Sequence, residues 1–551
     1  MSRKDFIGEA ECVEDATKDN LSSNEPLGSF QLIDPAGEIR LVPVPSRDPN
    51  DPLRLPEWRK WMCLVTVCLY GGFGLSAIQA IAGILPVMST YYMGLDDVTQ
   101  SGGLTNSDAQ HSTVPSVPGR PSYQTISQLG TLPSLFVGVG GILSVLLAEW
   151  IGSRLVMVLD SAMVVASLAW CAASNGAQRG LYSHIAARCV LGLAVGSVES
   201  LVPLMLRDIH YVHQRNSRIG AMWAVGGTCG AVIGIVSTYI VAALSWRWFY
   251  WILTIASGVC FIMVLLFIPE TTWPRAPGDH VGRTTVGSDG YATPLRPTNR
   301  PYSYRYAIRM IPEHPGSLKN VIQAALDMLR CMYIPNVIWV VLLNAVFIGT
   351  SLSAGIEFGT VLVAPPYSWK QSNVGLIGIP LAISGFVVVL SGIVADRLVR
   401  LMAQRNGGMH EPEHQLVNMI LPAVTGITGS LLLGITFNDP YNYHWAIPML
   451  AYGLLQFGFV AANVTATTYT IECFPGISSA LVIVVGALRN IVGFGITYGV
   501  VSFVEASGFL GCFGTYAGLL GGISLAGIPL YIYGKQLRGR MERWKVGNVS
   551  V

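Results

Sequence analysis

The nine residues GIVADRLVR (392–400) close one apolar run and open a basic loop, and an earlier stretch, LLAEWIGSR (146–154), does the same. Each sets an acid ahead of basic side chains: Asp396 with Arg397 and Arg400, and Glu149 with Arg154. An apolar run that ends in a short basic loop is how a membrane-crossing helix reaches water on the inner side. Two such copies, each after the second run of its half, point to a chain built from two parallel repeats.

Composition agrees. The 551 residues are 51% hydrophobic and 12% charged, with a mean hydropathy of +0.49, whereas a soluble domain carries about 25% charged residues. Apolar runs fall near 61–83, 128–148, 155–175, 184–206, 219–243, 248–269, 334–362, 374–395, 417–437, 445–468, 479–502 and 511–533. Each is long enough to cross a hydrocarbon core of about 30 Å. The expected organisation is a polar tail (1–60), a six-helix bundle (61–270), a linker (271–333), a second six-helix bundle (334–533) and a short tail (534–551). Within the linker, 317–330 reads as an amphipathic helix.

Of the 34 lysines and arginines, only Arg120, Arg179, Arg247 and Lys370 fall in loops that are external when both ends of the chain are cytosolic. Arg188 and Arg489 lie in spans, and all the others face inward, so both termini are expected in the cytosol. The N-terminal residues carry no signal-peptide pattern. The ten cysteines are scattered, without CxxC spacing. A net charge of +2 is silent about partners; the expectation is a monomer in a lipid bilayer, with no nucleic-acid partner, metal or organic cofactor. The sequons at Asn20, Asn463 and Asn548 fall in the cytosol or in a span, so none is expected to carry glycan.

GIVADRLVR resembles the GxxxDRxxR loop motif of the major facilitator superfamily. The first copy is degraded: Val145, Glu149, Trp150 and Ser153 replace motif residues, while Gly152 and Arg154 remain. RCVLGLAVGSVES (188–200) resembles the family's fourth-helix arginine motif, and SWRWFYW (245–251) and PETTWPR (269–275) its sixth-span boundaries. RDIHYVHQR (207–215), AQRNGGMHEPEHQL (403–416), ALRNIVGFG (487–495) and YGKQLR (533–538) are similar to a fungal branch grouped with drug:proton antiporters. The resemblance covers about 55–545. It implies an all-α membrane protein of twelve spans in two six-helix bundles rocking about a central cavity. It also implies proton-driven export of drugs, toxins or secondary metabolites, with uptake of a polyamine or another nutrient as the alternative.

The candidate residues follow. Asp396, Arg397 and Arg400, and more weakly Glu149 and Arg154, form charge latches at inner helix ends, where carboxylates are favoured by helix N-termini and arginines. Glu199 is about 12 Å inside the fourth span, eight residues before Arg207 at about 1.5 Å each. A lone carboxylate there must be neutral, paired or hydrated, which makes Glu199 a candidate for coupling or for substrate contact. Arg188 is three turns earlier on that helix, and the resemblance implies a proton-handling role for it. Asp160 could serve in the same way or pair with Arg154, and the pairing is favoured. Asn344 and Glu357 in span seven, and Arg489 and Asn490 in span eleven, are further candidates; an intramembrane guanidinium needs an acid, carbonyls or water. Gln79, Tyr452, Gln456 and Asn463 are cavity candidates or helix–helix glue. Gly226, Gly230 and Gly234 recur every fourth residue and predict close packing in span five. They resemble the antiporter motif of that helix, with Ala231 in place of its proline.

Two other readings stay open. HEPEH (410–414) matches the H-E-x-x-H zinc-protease pattern, but Pro412 sits between His410 and His414 and glycines precede them, in a loop. A transporter-like nutrient sensor would usually need a longer signalling tail.

Overall fold

The computed structural model describes residues 43, 45–94, 120–176, 178–273, 304–312, 316–405, 411–474 and 477–543. Among them, twelve helices are long and apolar enough to cross a membrane. The first half contains α1 (Glu57–Gln79), α2 (Ile81–Met93), α3 (Tyr123–Ile151), α4 (Ser153–Ala173), α5 (Gln178–Ile209), α6 (Val212–Ala243) and α7 (Trp246–Phe267). A connecting helix, α8 (Leu318–Cys331), precedes α9 (Pro335–Val363), α10 (Gly378–Arg405), α11 (Ile420–Asn438), α12 (Ala446–Cys473), α13 (Ser478–Tyr498), α14 (Val500–Leu525) and α15 (Gly527–Arg543). Helices are what the composition demands, because only a helix satisfies its own backbone polar groups in hydrocarbon. Ser122 and Ser245 cap α3 and α7 by accepting backbone N–H groups.

The two halves repeat one packing scheme. In the first, α1 packs on α6, α3 on α5, α4 on α7 and α4 on α5. In the second, the corresponding pairs are α9 on α13, α10 on α12, α11 on α14 and α11 on α12. The result is two six-helix bundles. Their outward surfaces keep large apolar side chains exposed, among them Leu143, Val232, Ile255, Phe386, Ile393 and Val464, as a surface facing lipid requires.

The bundles meet along two seams, with a further contact of α2 against α9 between them. In one, α3 lies against α13: a Cβ added at Gly138 would stand 2.5 Å from the Ala487 carbonyl. In the other, α6 meets the 3₁₀ segment Gln371–Ile377 and the start of α10. There Thr238 Oγ1 donates to the Ser372 carbonyl at 2.9 Å. This second seam lies on the face opposite the chain ends. On the chain-end face, α8 bridges α3 and α13.

The ends of two spans and one packing expectation differ from the sequence reading. The first span begins at Glu57, and helix continues beyond Ala80 to Met93, because Gln79, Ser89 and Thr90 are polar yet compatible with helix. The last span begins at Val500, but Gly508 interrupts it with φ of 71°, so an outer turn precedes the main helix. The third correction concerns span five. A Cβ at Gly226 or Gly234 would meet nothing within 4 Å, and one at Gly230 would meet Gln79 Oε1 at 3.3 Å. The close approaches lie instead at Gly192, 2.5 Å from the Pro133 carbonyl, and at Gly378, 2.8 Å from the Ala231 carbonyl, both measured from an added Cβ. Periodicity finds small residues, but it does not say which face a neighbour covers.

Candidate functional site

Glu199 on α5 and Arg489 on α13 form an ion pair across the two bundles, with Arg489 Nη2 2.8 Å from Glu199 Oε2. Asn490 Nδ2 donates to the same oxygen at 2.8 Å. Arg489 Nη1 donates to Asn463 Oδ1 on α12. The paired side chains are 12% and 7% exposed, so the carboxylate and the guanidinium compensate each other away from bulk water. The site therefore joins residues that the sequence placed separately: an acid from the first half and an arginine with two asparagines from the second. Gly486, one turn before Asn490, also faces the carboxylate; its Cβ position is 4.0 Å from Glu199 Oε2.

Arg188 shares α5 with Glu199 but takes no part in this cluster. Its Nε donates to the Leu129 carbonyl at 2.6 Å, Nη2 to Ile78 at 3.0 Å, and Nη1 to Ala77 at 3.2 Å and to Tyr250 Oη at 2.9 Å. The carbonyls of Ala77 and Ile78 lie where α1 gives way to α2. A helix break leaves carbonyls without their usual donors, and the rigid guanidinium fork supplies them. Around it, His184 bridges the hydroxyls of Tyr92 and Tyr250, each at 3.1 Å, and stacks on Trp246 at 5.3 Å. The sequence reading singled out none of these four side chains. The aromatic string SWRWFYW was the available signal.

The latch expected between Glu149 and Arg154 is not formed, nor is the favoured pair of Arg154 with Asp160. Arg154 Nη2 donates to the Leu265 carbonyl at 2.6 Å, and its backbone N–H to Glu270 Oε2 at 3.3 Å. Glu270 also accepts from Ser153 Oγ at 2.8 Å and from the Thr272 N–H at 2.9 Å. The loop after span two is thus tied to the end of span six within one bundle. Gly152 makes this possible: φ is 96°, and an added Cβ would stand 2.6 Å from Glu270 Oε2. Glu149 instead neighbours Arg207 and Asp208, which pair with each other at 3.1 Å. Asp160 accepts from Ser144 Oγ at 2.9 Å.

In the second half, Arg397 is exposed on α10; the side chains of Asp396 and Arg400 lie outside the described residues, as does His410. The following loop is tied down by Glu411, which pairs with Lys535 of α15 at 2.6 Å. His414 is buried in a one-turn helix. Among the described residues, no group of three or more His, Cys, Asp or Glu side chains could hold a metal ion.

The remaining candidates are dispersed. Asn344 Nδ2 bonds back to Val340 of its own helix at 3.0 Å, and Gln456 lies beside Tyr452. Gln79 is exposed at the break of the first span, facing Gly230. Glu357 is buried with neither oxygen bonded.

Residues 62–497 match the model of the Major Facilitator Superfamily. An MFS-type transporter of Schizosaccharomyces pombe is 23% identical, over 91% of this chain and 88% of its own length. Protein HOL1 of Saccharomyces cerevisiae is 22% identical, over 93% and 92%. Efflux pump radE of Floropilus chiversii is 24% identical, over 64% and 63%. Among solved structures, the xylose transporter XylE from E. coli superposes with a TM-score of 0.56 at 14% identity, over 87% of this chain and 98% of that one. The human organic anion transporter MFSD10 does so with 0.52 at 15%, over 86% and 100%. Twelve spans in two like-packed bundles, with a family match across both, place the chain in the major facilitator superfamily: it is a multi-pass membrane transporter, not an enzyme.

Proposed function

We propose that this transporter exports small, partly apolar organic compounds in exchange for protons, by alternating access, as a monomer with both chain ends in the cytosol of a cell membrane. The observation that carries the reading is the ion pair between Glu199 and Arg489. It crosses the two bundles at mid-span, and Glu199 is its one member whose charge a proton can cancel. With Glu199 ionised, Arg489 and Asn490 converge on a single carboxylate oxygen. A proton on Glu199 removes the charge that compensates Arg489, so the guanidinium must find another partner, from water or from a substrate. Proton binding and cavity occupancy then become linked, and a ligand shifts the equilibrium between two states only by binding them differently. Export is supported by the relative named an efflux pump and by the resemblance of the loop motifs.

The test is accumulation of candidate compounds in cells lacking or overproducing the protein, with and without a protonophore. Export predicts higher internal levels on deletion, with the difference abolished by the protonophore. Lower levels on deletion would overturn export, and unchanged pH-driven transport by Glu199→Gln would remove the coupling role.

A further inference from the structure

Away from the mid-span cluster, the structure holds a second carboxyl at the seam between the bundles. Glu357 lies near the end of α9 on the face opposite the chain ends; it is 1% exposed, and neither side-chain oxygen has a hydrogen-bond partner. One turn earlier, Ser353 is also buried, with its hydroxyl beside Tyr516 of α14. From the other bundle, the buried hydroxyl of Tyr123 at the start of α3 faces Glu357 and Thr360 of α9. The neighbouring Ile356 packs at 3.5 Å from the Cβ position of Gly130 on α3. Part of the enclosure of the carboxyl therefore belongs to the other bundle and is lost when the bundles part on this face.

The ionisable groups around it are few. From α14 come Glu505, Cys512 and Tyr516, and from α3 comes Tyr123. Among the described residues, the charged group that acts on Glu357 is another acid, Glu505. Glu505 is exposed on the outer turn that precedes Gly508. An ionised carboxylate buried with no donor among the described side chains and a second acid nearby is strongly disfavoured. Glu199 differs, because two donors already meet its charge.

We infer that Glu357 is a proton-loading site of the gate on this face: the gate closes over Glu357 in its protonated form, and Glu505 at the mouth relays protons to it from the outer water. This rests on the alternating-access reading above, with the face outside the cell. It adds that the outer gate senses outside pH through a group distinct from Glu199. The relay moves only a proton, from one carboxyl oxygen to another, with no change of oxidation state.

The test reads the gate rather than transport, so it stands apart from the fate of the export reading. Thr238 is buried and bonds across the closed seam to Ser372. In the full-length protein in liposomes, a Thr238→Cys variant is labelled with an impermeant maleimide at external pH 6 to 8. Rates are corrected for native cysteines and divided by those of the same variant unfolded at each pH. Labelling is expected to fall as the outside is acidified, approaching tenfold per pH unit where one proton controls closure. Adding Glu357→Gln should leave labelling slow and flat, whereas adding Glu199→Gln should keep the slope. A parent without a slope, or a slope that survives Glu357→Gln, overturns the proposal. Should Glu357→Gln fail to fold, Glu357→Met replaces it. Having no hydrogen bond to lose, that variant should melt no lower than the parent and should also label flatly; a retained slope there overturns the proposal equally.

Discussion

The Glu199–Arg489 pair makes a quantitative prediction, because it joins the bundles through one oxygen. Glu199 Oε2 accepts from Arg489 Nη2 and from Asn490 Nδ2, each at 2.8 Å. Removing the guanidinium in Arg489→Ala leaves a nearly buried carboxylate with one neutral donor, and breaking such a pair costs about 3–5 kcal/mol. Glu199→Gln keeps an acceptor oxygen but removes the charge, so the bond from Asn490 becomes a neutral one of about 0.5–1.5 kcal/mol in place of about 1.5–3. Arg489 then has only amide oxygens as acceptors and no compensating charge, for a total loss of about 2–3 kcal/mol. In the double variant Glu199→Gln/Arg489→Ala neither charge is stranded, so its loss should fall short of the sum by about 2 kcal/mol. The assay is a double-mutant cycle on detergent-solubilised protein, with unfolding followed by SDS titration. Arg489→Lys should recover part of the loss, since it keeps the charge without the fork. Losses that add to within about 0.5 kcal/mol would refute the pair as a coupled unit.

Other outcomes follow from the same geometry. Arg188→Lys retains the charge but cannot reach four acceptors; a loss of about 2–4 kcal/mol is expected in the same unfolding assay, and no effect would mean that the break between α1 and α2 satisfies its own carbonyls. Gly152→Ala combines a φ of 96° with a Cβ 2.6 Å from Glu270 Oε2, and should cost about 1–3 kcal/mol, read as a lower melting temperature in detergent. Burial pushes the Cys331 thiol, on the connecting helix, up to about 12. At pH 7.5 it should stay unlabelled by maleimide until the protein unfolds, checked by mass shift of the peptide. The exposed pair of Lys535 and Glu411 is worth at most about 1 kcal/mol, so Lys535→Ala should leave the melting temperature nearly unchanged.

Much of this protein was legible from local signals. Hydropathy alone places twelve spans, because hydrocarbon forces long apolar helices whatever their neighbours. It erred at span ends: helix ran on past residue 83 through Ser89 and Thr90 to Met93, and the last span began at Val500, ahead of the run expected from 511. The intramembrane charges were legible as well, since Glu199, Arg188 and Arg489 stand out in apolar company. Their partners were not. Arg154 is five residues from Glu149 and six from Asp160, yet it is tied to Glu270 more than a hundred positions away, because Gly152 turns the chain toward the end of α7. Arg188 and Glu199 look like partners on one helix; one serves carbonyls inside its own bundle, while the other crosses to α13.

What the sequence determined by itself is therefore whatever depends on a residue and its near neighbours: the solvent each segment must meet, the helical state that follows, the repeat, and the presence of costly charges in the membrane. Only the tertiary structure decided how those charges are compensated. An ion pair needs two side chains within about 4 Å, and in a twelve-helix protein that distance is set by which helices pack, not by spacing along the chain. The coupling of Glu199 to Arg489 and the isolation of Glu357 are both consequences of that packing.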